Sequence, residues 1–144
     1  MLDENKRVVR RVYEEHYNQR QSALVGELFA VDVVLQTPDG ALNGLDGELA
    51  LLNAYATAFP DFRLGIDELT AEDDRVVVRY SFSGTHLGPL ADIQPTGRHV
   101  QLTNGFGAFR LANGKVVRLD LAWDKHGLLQ QLGVLTTGAG ATGV

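Results

Sequence analysis

The sequence predicts an α+β domain, with helices packed on one face of a curved, mostly antiparallel sheet. Two observations carry this. Apolar residues recur at helical spacing up to about Pro60 and at strand spacing, alternating or in short runs, from Phe62 onward. The strand-length pieces are also separated by turn signals, and no internal repeat or linker divides the chain.

The elements follow in order. From about Asp3 to Asn18, Val8, Val9, Val12, Tyr13 and His16 or Tyr17 fall on one helical face. Arg10/Glu14 and Arg11/Glu15 form i,i+4 pairs on the wet side. Ser22 is a fair N-cap for a short second helix through about Phe29. "VVLQTP" then reads as a strand stopped by Pro38 and the Pro-Asp-Gly turn. A third helix is expected from about Leu45 to Ala58, ending before Pro60. "FRLGIDEL", "RVVVRYSFSG", "HVQLTNGFGAFR" and "KVVRLDLAW" read as strands, separated by "AEDD", a long loop around "HLGPLADIQPTG", and "ANGK". The expected domain is 1–135, and the small, polar stretch 136–144 reads as a disordered tail.

Composition narrows the function. The chain has 144 residues, 44% of them hydrophobic, enough for one self-sufficient core. A net charge of −5 argues against a nucleic-acid or anionic-membrane surface, since both partners need a basic face. The lack of cysteine removes disulfides, thiolate catalysis and cysteine-held metals. There is neither a membrane-length apolar run nor a secretory pattern at the N-terminus, which is charged from Asp3 onward, so a cytoplasmic protein is expected.

Several motifs have plainer readings. Gly138, Gly140 and Gly143 spell G-x-G-x-x-G, yet only Val144 follows, so no helix N-terminus is there to meet a pyrophosphate. His16, His86, His99 and His126 show no ligand spacing, and no metal is expected. Ser22, Ser81 and Ser83 lie in no nucleophile motif. Lys6, Arg7, Arg10 and Arg11 are interleaved with glutamates, as on a solvated helix face.

Four stretches carry a family resemblance: A-F-P-D-F-R at 58–63, G-T-H-x-G at 84–88, P-T-G-R at 95–98 and G-L-L-Q-Q-L-G at 127–133. With their surroundings, from about Lys6 to Gly133, they resemble the SnoaL-like polyketide cyclases of the nuclear transport factor 2-like superfamily. That resemblance implies a cone-shaped α+β barrel around an apolar cavity, usually a homodimer, acting on a small polyketide-like molecule without a cofactor. In the aldol-type members an aspartate on the final strand is the general acid/base. Counted without gaps, it falls on Leu121 here, and two histidines of those enzymes fall on Gly107 and Leu119. The resemblance also places Tyr17 and Leu51 at positions that shape the pocket.

Strand alternation sorts the remaining candidates. If Leu119, Leu121 and Trp123 look into the cavity, then Arg118, Asp120 and Ala122 look outward, with Asp120 free to pair with Arg118 or Arg79. Asp124 is expected to cap the helix that follows. Gly105 and Gly107 should leave open space on the cavity side. Val76, Val78, Tyr80 and Phe82 share a face, His86 lies just beyond at the expected mouth, and Gln36 shares a face with Val34. The expected catalytic set is therefore Tyr55, Gln36 and His86. The expected substrate contacts are Tyr13, Tyr17, Leu51, Tyr80, Phe82, Gly105, Gly107, Leu119, Leu121 and Trp123. With no carboxylate expected inside, the first reading is a cyclase that promotes a pericyclic, cycloaddition-like closure by preorganisation. Alternatives are aldol chemistry with Asp67 or Asp120 as the acid/base, and a non-catalytic binding domain. Steroid-isomerase-like or epoxide-hydrolase-like sites are disfavoured because both need buried carboxylates. Outward Val77, Phe106, Ala108 and Ala122 suggest a subunit contact.

Overall fold

The computed structural model describes residues 2–135, so the expected tail and its glycine motif lie outside the described residues. Helix α1 (Leu2–Arg11) carries Asp3 and Glu4 in its first turn and Arg10 and Arg11 in its last, the arrangement its dipole favours. It runs on into a π-helical segment, Val12–Tyr17, closed by the Asn18 amide donating to the Tyr13 carbonyl. The wider turn brings Val12, Tyr13, His16 and Tyr17 inward together, so both His16 and Tyr17 are buried. A 3-10 turn (Ser22–Leu24) leads into the single turn α2 (Val25–Leu28), and Ser22 caps neither by its side chain.

The sheet is built from β1 (Phe29–Thr37), β2 (Gly40–Asn43), β3 (Arg63–Glu72), β4 (Arg75–Thr85), β5 (His99–Ala112) and β6 (Lys115–Ala122). Helix α3 (Gly44–Ala58) sits between β2 and β3, and α4 (Lys125–Leu132) follows β6. The strand order is β2-β1-β6-β5-β4-β3. All pairs are antiparallel except β1 with β6, so the sheet is mixed, and its two edges do not join. Strand β2 was not anticipated from the sequence; it is four residues long and half exposed, which leaves almost no periodicity to read. The β5 to β6 turn has Asn113 and Gly114 both at positive φ (53° and 78°), as a twist-matched two-residue hairpin requires.

The concave face holds the core. Leu35, Leu119, Phe109 and Val76 stand in register across four strands, and all are buried. Register shifts interrupt the β1–β6, β3–β4, β4–β5 and β5–β6 pairings, and such irregularities bend a sheet; two of them lie beside the cavity strands. Asp67 is left unpaired between Ile66/Tyr80 and Glu68/Arg79. On β5, Thr103 and Asn104 intervene between Leu102/Phe82 and Gly105/Tyr80, with Asn104 at φ 59°. Among the described residues no helix is long and apolar enough to cross a membrane.

The motifs that carry the resemblance prove to be joints of this fold. Asp61 accepts from the Thr85 amide (2.7 Å) and hydroxyl (2.8 Å), which holds its carboxyl below the usual range. His86 is fully buried; its Nδ1 accepts from the Thr96 amide (3.1 Å), and its ring packs on Phe59. Gly88 passes so close to α3 that a β-carbon would lie 2.0 Å from the Thr57 carbonyl oxygen. Arg20 donates to the carbonyls of Tyr17, Asn18, Pro60 and Phe62, tying the end of the first helix to the segment after α3.

Candidate active site

Between the helices and the concave sheet lies a cavity of about 80 Å³. Tyr13 and Tyr17 line it from the π-helical segment, Leu51, Leu52 and Tyr55 from α3, and Phe62 from the loop that follows. The sheet contributes Leu64, Tyr80, Phe82, Leu102, Gly105 and Leu121, and Trp123 and Leu128 complete the wall. None of these side chains is charged. An apolar cavity of ~150 Å³ can hold a benzene ring, so this one is small beside a guest of several rings. Tyr55 and Trp123 are half-buried, and their rings meet edge to face at 5.5 Å. Beside them, Asp39 of the β1 to β2 turn accepts from the Tyr55 hydroxyl (3.5 Å) and pairs with Lys125 at the start of α4.

Nine of the expected residues line the cavity: Tyr13, Tyr17, Leu51, Tyr55, Tyr80, Phe82, Gly105, Leu121 and Trp123. Four do not. Gln36 is exposed, because its register partner is Asp120 on the convex face while Leu35 pairs with Leu119 inside. It does share a face with Val34, but that face is the outer one. His86 is sealed beneath the 86–98 loop by its bonds to Thr96 and is not at a mouth. Leu119 is fully buried in the core, one residue pair deeper than the cavity. Gly107 offers no open space, since a β-carbon there would meet the Tyr13 hydroxyl at 2.7 Å and the Phe109 ring at 3.0 Å. Over Gly105 the Tyr80 ring lies where a β-carbon would point, at 2.6 Å, so that glycine accommodates a tyrosine instead of a guest.

The two expected rivals for acid/base duty both face away. Asp120 takes a two-pronged ion pair from Arg118 (2.8 and 2.9 Å). Asp67 lies 3.6 Å from Arg79, partly exposed. Asp124 accepts from the Gly127 amide (2.8 Å), capping α4 as expected.

The interior nevertheless contains a carboxyl that strand alternation could not reveal. Glu48, on α3, is fully buried and lies 3.0 Å from His16 Nε2, itself fully buried. The expectation of a carboxyl-free interior is corrected accordingly: the cavity wall has none, but one sits behind it. His16 Nδ1 faces the Gln21 carbonyl (3.1 Å), which can only accept, so Nδ1 carries a proton. The pair therefore shares one further proton between Nε2 and Oε2. Burial pushes the Glu48 carboxyl up, opposed by His16 and Tyr17. Its other oxygen, Oε1, has no hydrogen-bond partner among the described residues, and neither do the buried Tyr13 and Tyr17 hydroxyls and the Trp123 indole N–H. Burial first, and charge around Glu48 next, hold the Tyr17 hydroxyl well above its ordinary range, so it stays neutral. The missed signal was Glu48 itself, an acidic residue on the same helical face as Leu52 and Tyr55. Among the described residues no group of three or more His, Asp or Glu is placed to hold a metal.

Comparison with known proteins agrees on the family and the fold, though the similar structures carry different assigned roles. The sequence profile described as SnoaL-like polyketide cyclase matches residues 7–132. A protein of Jannaschia sp. CCS1 assigned as a SnoaL-like polyketide cyclase superposes with a TM-score of 0.84 at 21% identity, over 90% of this chain and 92% of its own. AclR of Streptomyces galilaeus, assigned as a hydroxylase, gives 0.82 at 26%, over 94% and 89%. IdmH of Streptomyces antibioticus, assigned as a polyketide cyclase, gives 0.78 at 24%, over 90% and 99%. No curated protein matches the chain significantly.

Proposed function

We propose, from the premise that this chain belongs to the SnoaL-like polyketide cyclase family, that it folds a polyketide-type molecule inside its cavity and promotes ring closure chiefly by preorganisation. The observation that carries the reading is the wall, in which Leu121 and Trp123 face inward from the end of the sheet and no lining side chain is charged. Such a wall can position and desolvate a guest but cannot take its proton. Holding reacting ends in near-attack geometry can supply up to about 7–11 kcal/mol. A pericyclic closure, in which bonding electrons shift around a ring without proton transfer, needs little else. In this reading Tyr55 and Tyr80 orient oxygens of the guest, Trp123 stacks on its unsaturated part, and Leu51 and Phe82 set the shape. Gln36 and His86 have no part in it. Neither a cofactor nor a metal is invoked, and two copies pair through the convex sheet face.

A second reading keeps one observation in its favour. Glu48 and His16 form a buried acid/base pair that is not part of the cavity lining, with the His16 ring 5.1 Å from that of the lining residue Tyr17, and aldol closure could draw on it. The test is to mix the protein with an uncyclised polyketide intermediate and follow the mixture by mass spectrometry and NMR. Faster closure supports the enzyme. Binding without any change in the closure rate leaves a non-catalytic binding domain and rejects the proposal.

A further inference from the structure

We infer that Asp39 is the clasp of the cavity entrance: its ion pair with Lys125 ties down the segment that carries Trp123, and a guest enters or leaves when that pair opens. The inference rests on the reading that the cavity takes up a small molecule. It starts from the place where the wall meets solvent. Tyr55, on α3, and Trp123, in the two-residue connection between β6 and α4, line the cavity and are only half-buried, so each is wall on one side and surface on the other. Their rings meet edge to face at 5.5 Å and form a seam.

Asp39 grips both sides of this seam. Its Oδ2 accepts from the Tyr55 hydroxyl (3.5 Å), and its Oδ1 takes the ammonium of Lys125, the first residue of α4. The Lys125 amide in turn donates to the Trp123 carbonyl (2.9 Å), so holding Lys125 holds Trp123. The carboxylate stands on a fixed base. The buried Thr37 accepts from the Asp39 amide (3.0 Å) and donates to the Gly40 carbonyl (2.9 Å), which sets the β1 to β2 turn. Helix α4 is fastened at its far end, where the Gln131 side chain exchanges two hydrogen bonds with the Gln101 backbone of β5 (both 2.8 Å) and Leu132 is buried. At its near end, among the described residues, the pair with Asp39 is the one side-chain hydrogen bond or ion pair that joins residues 123–128 to another element. Both partners are about half exposed, and such a pair shifts an equilibrium by about fivefold at most. That is enough to bias the seam shut and too little to lock it.

The test follows the sole tryptophan, Trp123, by stopped-flow fluorescence as 2-decalol binds. This probe is uncharged and does not absorb where tryptophan does, so salt acts on the protein's own ion pairs and steers nothing. In Lys125→Gln the association and dissociation rate constants are each expected to rise about threefold, with Kd within about twofold of the wild type. Lys125→Arg keeps the charge and is expected to keep both rates within about 1.5-fold. Raising salt from about 0.05 to about 0.5 M is expected to speed both steps in the wild type and neither in Lys125→Gln. Equal rates in wild type and Lys125→Gln, a change in only one of the two rate constants, or an acceleration in Lys125→Arg as large as in Lys125→Gln overturns the inference and leaves the small-molecule cavity intact. If 2-decalol does not bind, the cavity reading fails, and the inference with it. Should Lys125→Gln not fold, the wild type decides alone, by whether salt raises its two rate constants together.

Discussion

At the residue scale, function turns on which carboxyls can reach the guest. Asp67 and Asp120 are spent on Arg79 and Arg118 outside the sheet. Asp67→Asn and Asp120→Asn are therefore expected to leave turnover within about twofold, where loss of a general acid or base costs about a hundredfold or more. Gly105→Ala would drive a methyl into the Tyr80 ring, and a loss of about 1–3 kcal/mol in denaturant unfolding is expected, with weaker guest binding as the ring is pushed into the cavity. His86 supplies a pH signature. Burial lowers its pKa from 6.5, so the folded protein binds fewer protons there than the unfolded chain. Its contribution to stability is complete above 6.5 and is lost as pH falls from there through the lowered folded value. Between pH 7.5 and 5 the melting temperature of the wild type should fall more than that of His86→Gln. Equal falls would show that His86 titrates normally.

Much of this scale was legible in the sequence. Alternation put Leu121 and Trp123 inside and Asp120 outside, because β6 has no bulge across those residues. It failed at Gln36, where the alternation was sound but nothing local says which face of an isolated strand is inner. That is decided by the parallel pairing of β1 with β6, a contact between distant parts of the chain. Glycines at 105 and 107 read as empty space for a similar reason: the rings that fill them come from β4 and the first helix.

At the element scale, local signals held where the cause is local. Asp124 caps α4 through the Gly127 amide, and Asp124→Ala is expected to cost about 1 kcal/mol, read as a shift in the urea midpoint at unchanged slope. The Asn-Gly turn and the stop before Pro60 are of the same kind. The π-helical turn at Val12–Tyr17 was not legible, although the site depends on it. The wider turn buries Tyr13, His16 and Tyr17 together and so brings His16 to Glu48. Helical spacing alone left a choice between His16 and Tyr17. Glu48 was hidden because a single acidic residue on a helix reads as solvated until its buried partner is known.

At the scale of the whole molecule, the convex face and the cavity are two sides of one sheet. Phe106 and Val77 remain 45% and 44% exposed, and register sets Phe106 beside Ala122 and Val77 beside Ala108. Arg79 and the Arg118–Asp120 pair flank this apolar strip, a pattern suited to a self-complementary contact. The wild type is expected to sediment as a dimer and Phe106→Asp as a monomer. Dimerisation that survives this substitution would place the contact elsewhere. The central claim is that the cavity accelerates closure by moulding its guest and not by moving protons. The most direct measurement is the single-turnover rate of ring closure of an uncyclised polyketide intermediate, at saturating protein, from pH 5 to 9. A rate constant flat to within about twofold is expected. A sigmoidal or bell-shaped profile spanning tenfold or more would contradict the claim, and its loss in Glu48→Gln would assign the chemistry to the Glu48–His16 pair.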